Sequence, residues 1–170
     1  MLYIDSQKKE ATQLLGLSLT MFLYEYSRKP VFLCIGSDKI PGDALGPLTG
    51  SLLQEKKKEF PVFGTLEQPV HALNLSDVIS DIYRYFPGNP IVAIDASLGI
   101  RDHIRYLSIG RGSLKPGAGV HKDLQAVGDI ALTGIVAKAG PFAGLALKTA
   151  STAMICTMAE IITEGISAIR

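Results

Sequence analysis

Tryptophan is absent from this 170-residue chain, and it has only two cysteines, three histidines and four methionines. Cys34 sits inside an apolar, strand-like run and Cys156 inside the last helical pattern. They make neither a C-x-x-C motif nor a zinc-ligand spacing. Both are expected as buried free thiols in a reducing compartment. The formal net charge is only +1. A chain without a cationic excess has no general electrostatic attraction for nucleic acid or an anionic membrane, so neither is an expected partner. No apolar run is long enough to span a bilayer. Near the N-terminus Lys8, Lys9 and Glu10 lead into an amphipathic pattern, so no signal peptide is expected. No G-x-x-x-x-G-K-[ST] motif is present, and no G-x-G-x-x-G follows the first strand, which disfavours nucleotide binding. The absence of G-x-S-x-G and of an exposed, activated cysteine argues against a serine or cysteine nucleophile. His71, His103 and His121 are scattered, with no H-E-x-x-H spacing, and the chain is read without a metal or cofactor.

What is present is organised around residues 31–50. The apolar run Val31–Ile35 reads as a strand ending at Gly36. A polar loop with Asp38 follows, then Asp43, then a helical pattern from about Leu45 with Pro47 in its first turn. In open α/β sheets the loops at the carboxyl ends of strands bind ligands. Asp43 has two compatible readings, a helix cap and a catalytic carboxylate.

The rest of the chain repeats this alternation. A helix is expected over residues 6–24, with Leu15, Leu19 and Phe22 inward. A second strand is expected at 61–66. A third helix, capped by Asn74 or Ser76, should bury Val78, Ile79, Ile82, Tyr83 and Phe86, and Pro87–Gly88–Asn89–Pro90 stops it. Ile91–Ile94 is a third strand ending in Asp95. Short strands follow near 104–109 and at 130–136, separated by a glycine-rich loop. A loop over 140–144 leads to a final apolar helix capped by Thr149 or Ser151. The order α-β-α-β-α-β-β-β-α predicts one domain over residues 1–170, a three-layer αβα fold with a mainly parallel sheet.

If the first and third strands are neighbours, in a 2-1-3 order, Asp43 and Asp95 meet at the switch point. The two carboxylates are then expected roughly 3–6 Å apart, where they share one proton and activate a water. The alternative is that each carboxylate only caps a turn. Gly117, Gly119 and Lys122 in the glycine-rich loop, with Asp38, are the candidates for contacting a substrate. Glycines let a backbone approach closely, and Lys122 could steady negative charge.

Several segments together closely resemble the YyaC-type sporulation proteins of endospore-forming bacteria. They are VFLCIGSDKIPGDALGP, FGTLEQPVHALNL, IVAIDASLG and GSLKPGAGVHKDLQAVGDIALTGIV, which run from Val31 to Val136. That family resembles, more remotely, spore germination proteases and hydrogenase maturation proteases. The resemblance implies a phosphorylase/hydrolase-like α/β fold and a cytoplasmic place in the sporulating cell or forespore. It also implies peptidase activity on a protein or peptide substrate. Germination proteases carry a catalytic Asp in a P-D-[AS]-L-G-P context, matched here by Gly42–Asp43–Ala44–Leu45–Gly46–Pro47 with Gly42 in place of Pro. Their second Asp lies in an I-D-A context, matched by Ile94–Asp95–Ala96. In the maturation proteases corresponding acids and a later His contact a metal, and His121 is the nearest candidate by order. The rival expectation is a non-catalytic binding or scaffolding protein of the same fold, its apolar helix surface serving a partner or a homodimer.

Overall fold

A computed structural model describes residues 1–117 and 124–169. Its centre is one six-stranded sheet in the order β1-β5-β6-β4-β2-β3. The strands are β1 (Leu2–Asp5), β2 (Val31–Cys34), β3 (Val62–Phe63), β4 (Ile91–Gly99), β5 (Tyr106–Arg111) and β6 (Ile130–Lys138). Pairs β3/β2, β2/β4 and β4/β6 are parallel, and β6/β5 and β5/β1 are antiparallel. The helices are α1 (Ala11–Leu23), α2 (Leu45–Lys56), α3 (Leu75–Tyr85), α4 (Ala143–Lys148) and α5 (Thr152–Ser167).

The layers follow from the period-two alternation of strands. Phe32, Cys34, Val92, Ile94, Leu107, Ile109, Ile130 and Leu132 point to one face, where α1, α2 and α5 pack. Val31, Leu33, Ile35, Ile91 and Ala93 point to the other, beneath α3 and Val127. Strands β2 and β4 are covered on both sides, which is why their sequences read as unbroken apolar runs. Cys34 is fully buried, and burial pushes its thiol pKa far up, so it is a packing residue and not a nucleophile. No helix among the described residues is long and apolar enough to cross a membrane.

The three-layer α/β architecture and the β3-β2-β4 neighbourhood agree with the sequence reading. Several details differ. The N-terminal residues form an extra edge strand, β1, and the first helix begins at Ala11, not near Ser6. Tyr83, expected inward, is 61% exposed, because α3 buries only the narrow stripe Leu75, Ile79 and Ile82. The 140–144 loop gives way at Ala143 to the short helix α4. Ser151, one of the two expected caps, does cap the last helix and accepts the Met154 N–H at 3.3 Å.

Strand β4 also runs on past Asp95 to Gly99. The expected end is real only on the β2 side. There the last registered pair is Cys34 with Ile94, and the Ile35 N–H then bonds the Ile94 carbonyl at 2.7 Å. On the other side β6 keeps pairing as far as Gly99 with Lys138.

Candidate active site

The site begins where β2 stops. The Gly36 N–H turns away from β4 and bonds the Val70 carbonyl at 2.8 Å. Its φ of 145° is glycine territory, and a Cβ there would lie 2.1 Å from the Asp43 carbonyl oxygen. The Ser37 N–H donates to that same carbonyl at 3.0 Å, and the Asp43 N–H donates to Ile40 at 2.9 Å. Residues 36–43 are therefore a closed ring ending in a single 3-10 turn, Pro41–Asp43. Asp43 is half-buried at its end. The N-cap of α2 is Ala44, so Asp43 precedes the cap position and does not occupy it. Gly42 packs on α4, where a Cβ would stand 2.7 Å from the Leu147 carbonyl oxygen.

Asp95 comes from the neighbouring strand. Its side chain points to the α3 face, in register with Thr133 of β6, and the residue is only 5% exposed. One carboxylate oxygen accepts the Ala96 N–H at 2.8 Å, and the Gly117 N–H also bonds the carboxylate. Its pKa is raised well above the usual Asp range. Burial is the main cause and the charge of Asp43 the second, and the Ala96 and Gly117 donors only partly offset them. Asp43 thus acts electrostatically on Asp95, at the carboxyl ends of β2 and β4, whose onward connections run to opposite sides of the sheet, β2 to β3 and β4 to β5. This is the switch point at which open α/β sheets place ligands.

The other candidates divide. Gly117 donates its N–H to the Asp95 carboxylate. Asp38 is exposed in the 36–43 loop. Gly119, His121 and Lys122 lie outside the described residues. His71 follows Val70 at the same end of the sheet, but its Nδ1 accepts the Leu73 N–H at 3.3 Å. His103 stacks near Tyr3 and Tyr106, with ring centroids 5.7 Å and 5.1 Å away, at the β1–β5 end of the fold. Among the described residues no three His, Cys, Asp or Glu side chains group to hold a metal ion.

Sequence reasoning missed a row of hydroxyls beside Asp95. Ser97 Oγ donates to Thr133 Oγ1 at 3.0 Å, and Thr133 Oγ1 shares a 2.8 Å hydrogen bond with Ser108 Oγ. Ser108 and Thr133 are buried. The row crosses β4, β6 and β5 on the face that carries Asp95, so the sheet there is polar while its surroundings are apolar. Period-two spacing shows it in the sequence, because Asp95 and Ser97 interrupt an apolar strand two residues apart.

A family model described as "Protein of unknown function (DUF1256)" matches residues 3–165. The chain belongs to this DUF1256 family. It is 38% identical over 167 residues to "Uncharacterized protein YyaC" of Bacillus subtilis (strain 168), covering 97% of this chain and 82% of that protein. The resemblance read from the motifs therefore holds across the DUF1256 chain. Among solved structures it is similar to the NiFe hydrogenase maturation protease HycI from Thermococcus kodakarensis KOD1. The identity is 15% and the TM-score 0.48, covering 88% of this chain and 98% of that one.

Proposed function

We propose that this chain is a peptidase of the sporulating cell that hydrolyses a protein substrate between Asp43 and Asp95. The observation that carries the reading is the buried Asp95 carboxyl, held toward its protonated form by burial and by the Asp43 charge. A protonated and an ionised carboxyl side by side are the requirements of water activation by an acid pair. Asp43 takes a proton from the water as its oxygen bonds the peptide carbonyl carbon. Asp95 protonates the carbonyl oxygen. The C–N bond then breaks, the nitrogen leaves as an amine with the proton held by Asp43, and one hydroxyl of the tetrahedral intermediate returns its proton to Asp95 as the carboxyl product forms. Asp38 at the loop, and Gly119 and Lys122 beyond Gly117, are assigned to substrate contact. The matched G-D-A-L-G-P and I-D-A contexts support the two-acid site, and the sporulation setting rests on the resemblance to YyaC-type sporulation proteins read from the sequence.

The test is to incubate purified protein with extract from sporulating cells and to label the new N-termini. Wild type should generate termini that Asp43→Asn and Asp95→Asn do not. Identical termini from all three proteins would sink the reading. Turnover is expected to survive a chelator. Stoichiometric metal, lost together with activity in His121→Ala, would replace the acid pair with a metal site.

A second reading has its own observation. The thirteen residues of α1 contain no charged side chain, and Leu14, Leu17 and Met21 are 48%, 61% and 55% exposed on it. Their spacing draws one apolar stripe along the helix, which suits a homodimer or a scaffolding partner. Sedimentation should show self-association that Leu17→Glu abolishes. A wild-type monomer at high concentration would exclude the homodimer.

A further inference from the structure

Among the described residues, no strand pairs with the β2 side of β4 beyond Asp95. Strand β4 extends over residues 95–99 after its β2 neighbour has ended, roughly 16 Å of strand at about 3.3 Å per residue. Main-chain groups alternate sides along a strand. The Ile94 carbonyl faces β2, where it accepts Ile35, and the Gly99 carbonyl faces β6, where it accepts Ala139. Ala96 and Leu98 therefore turn their main-chain groups toward the lane that β2 vacated. The Ala96 N–H is taken by the Asp95 carboxylate. No described backbone group pairs on that side with the Ala96 carbonyl or with the Leu98 N–H and carbonyl. Ala96, Ser97, Leu98 and Gly99 are half-exposed, whereas Ile91 to Asp95 are buried.

We propose that this edge captures the substrate as an added strand, so that an extended peptide segment pairs with the Ala96–Gly99 stretch of β4, just beyond Asp95. A donor and acceptors repeating every second residue match another extended backbone. A folded helix has its own main chain already paired and offers no such row. Asp95 stands at the edge itself because its carboxylate is bonded to the Ala96 N–H. Ile100, the residue directly after β4, is 61% exposed. It gives the end of this edge an apolar character, so the preferred segment is extended and apolar at alternate positions. This deepens the peptidase reading by naming its substrate's conformation, but binding at the edge does not depend on turnover.

The probe is a library of short synthetic peptides, apolar at alternate positions, presented to the Asp95→Asn protein. Binders should slow amide exchange at Leu98 and leave α5 unchanged. Leu98→Pro, which removes the open N–H and is tolerable on a strand edge, should weaken them about tenfold. If Leu98→Pro does not fold, exchange at the unsubstituted Leu98 decides alone. Absence of binders, or binding without protection of Leu98, overturns the proposal. Peptides that protect Leu98 but are never cut by wild type uphold strand capture and defeat the peptidase reading. Peptides cut by wild type with Leu98 unprotected do the reverse.

Discussion

Asp95→Asn will abolish turnover and yet give a more stable protein at neutral pH. The side chain is buried, and its pKa is raised by burial first and the Asp43 charge second. A group whose folded pKa lies above its unfolded value favours folding below the unfolded value, about 3.9 for Asp. That contribution is lost as pH rises through the folded pKa. Asparagine carries no charge, and its amide oxygen can still accept the Ala96 N–H. Removing the ionisation should add about 1–2 kcal/mol at neutral pH, or roughly 3–6 °C in Tm. Below about pH 4 the two proteins should converge. Asp43→Asn removes only the second cause, so the Asp95 pKa should fall partway. Calorimetry from acid to neutral pH checks all three. Equal stability of wild type and Asp95→Asn at neutral pH would show that the buried carboxyl is not strained.

The parallel β3-β2-β4 neighbourhood whose ends carry these two acids was legible because it depends on connections and not on fine geometry. Short β-loop-α segments imply parallel strands and crossovers, and crossovers to both sides of β2 imply β4 beside it. What the sequence hid has physical causes. The β1 residues Leu2–Asp5 make one antiparallel contact at an edge, too short a run for its alternation to stand out. Pro141 and Gly144 looked like loop residues. Pro141, however, precedes the helix, where a missing N–H is harmless, and Gly144 enters its first turn. The end of β4 was misjudged because an acid looked like a terminator. Asp95 instead remains in the ladder on the β6 side, and only its other flank is open. The proton affinity of Asp95 could not be read at all. It depends on how completely the folded chain shuts water away from the carboxyl, which no local pattern states.

Gly46→Ala should cost more stability than ordinary core substitutions, although it puts a strong helix former into a helix. In an exposed helix interior the same change gains about 0.5–1 kcal/mol. At Gly46 the added Cβ would lie 2.1 Å from the Ile35 carbonyl oxygen, and at Gly50, one turn later, 1.9 Å from the Gly64 carbonyl oxygen. Both obstacles are backbone, so no rotamer change relieves them. The helix must lift off β2 or the strand end must bend, and the cost should be at least about 3 kcal/mol, or roughly 6 °C in Tm. Gly144, on α4, is the internal control: a Cβ there meets nothing within 4 Å. Gly144→Ala should be neutral or gain up to about 1 kcal/mol. Urea unfolding of the two variants separates steric contact from helix propensity. A neutral Gly46→Ala would mean that α2 does not touch the end of β2. The functional consequence follows from the same contact. Ile35 is the last residue before the ring that presents Asp43, so displacing it moves Asp43 relative to Asp95. A folded fraction of Gly46→Ala should therefore lose activity beyond its loss of stability, and Gly144→Ala should lose none.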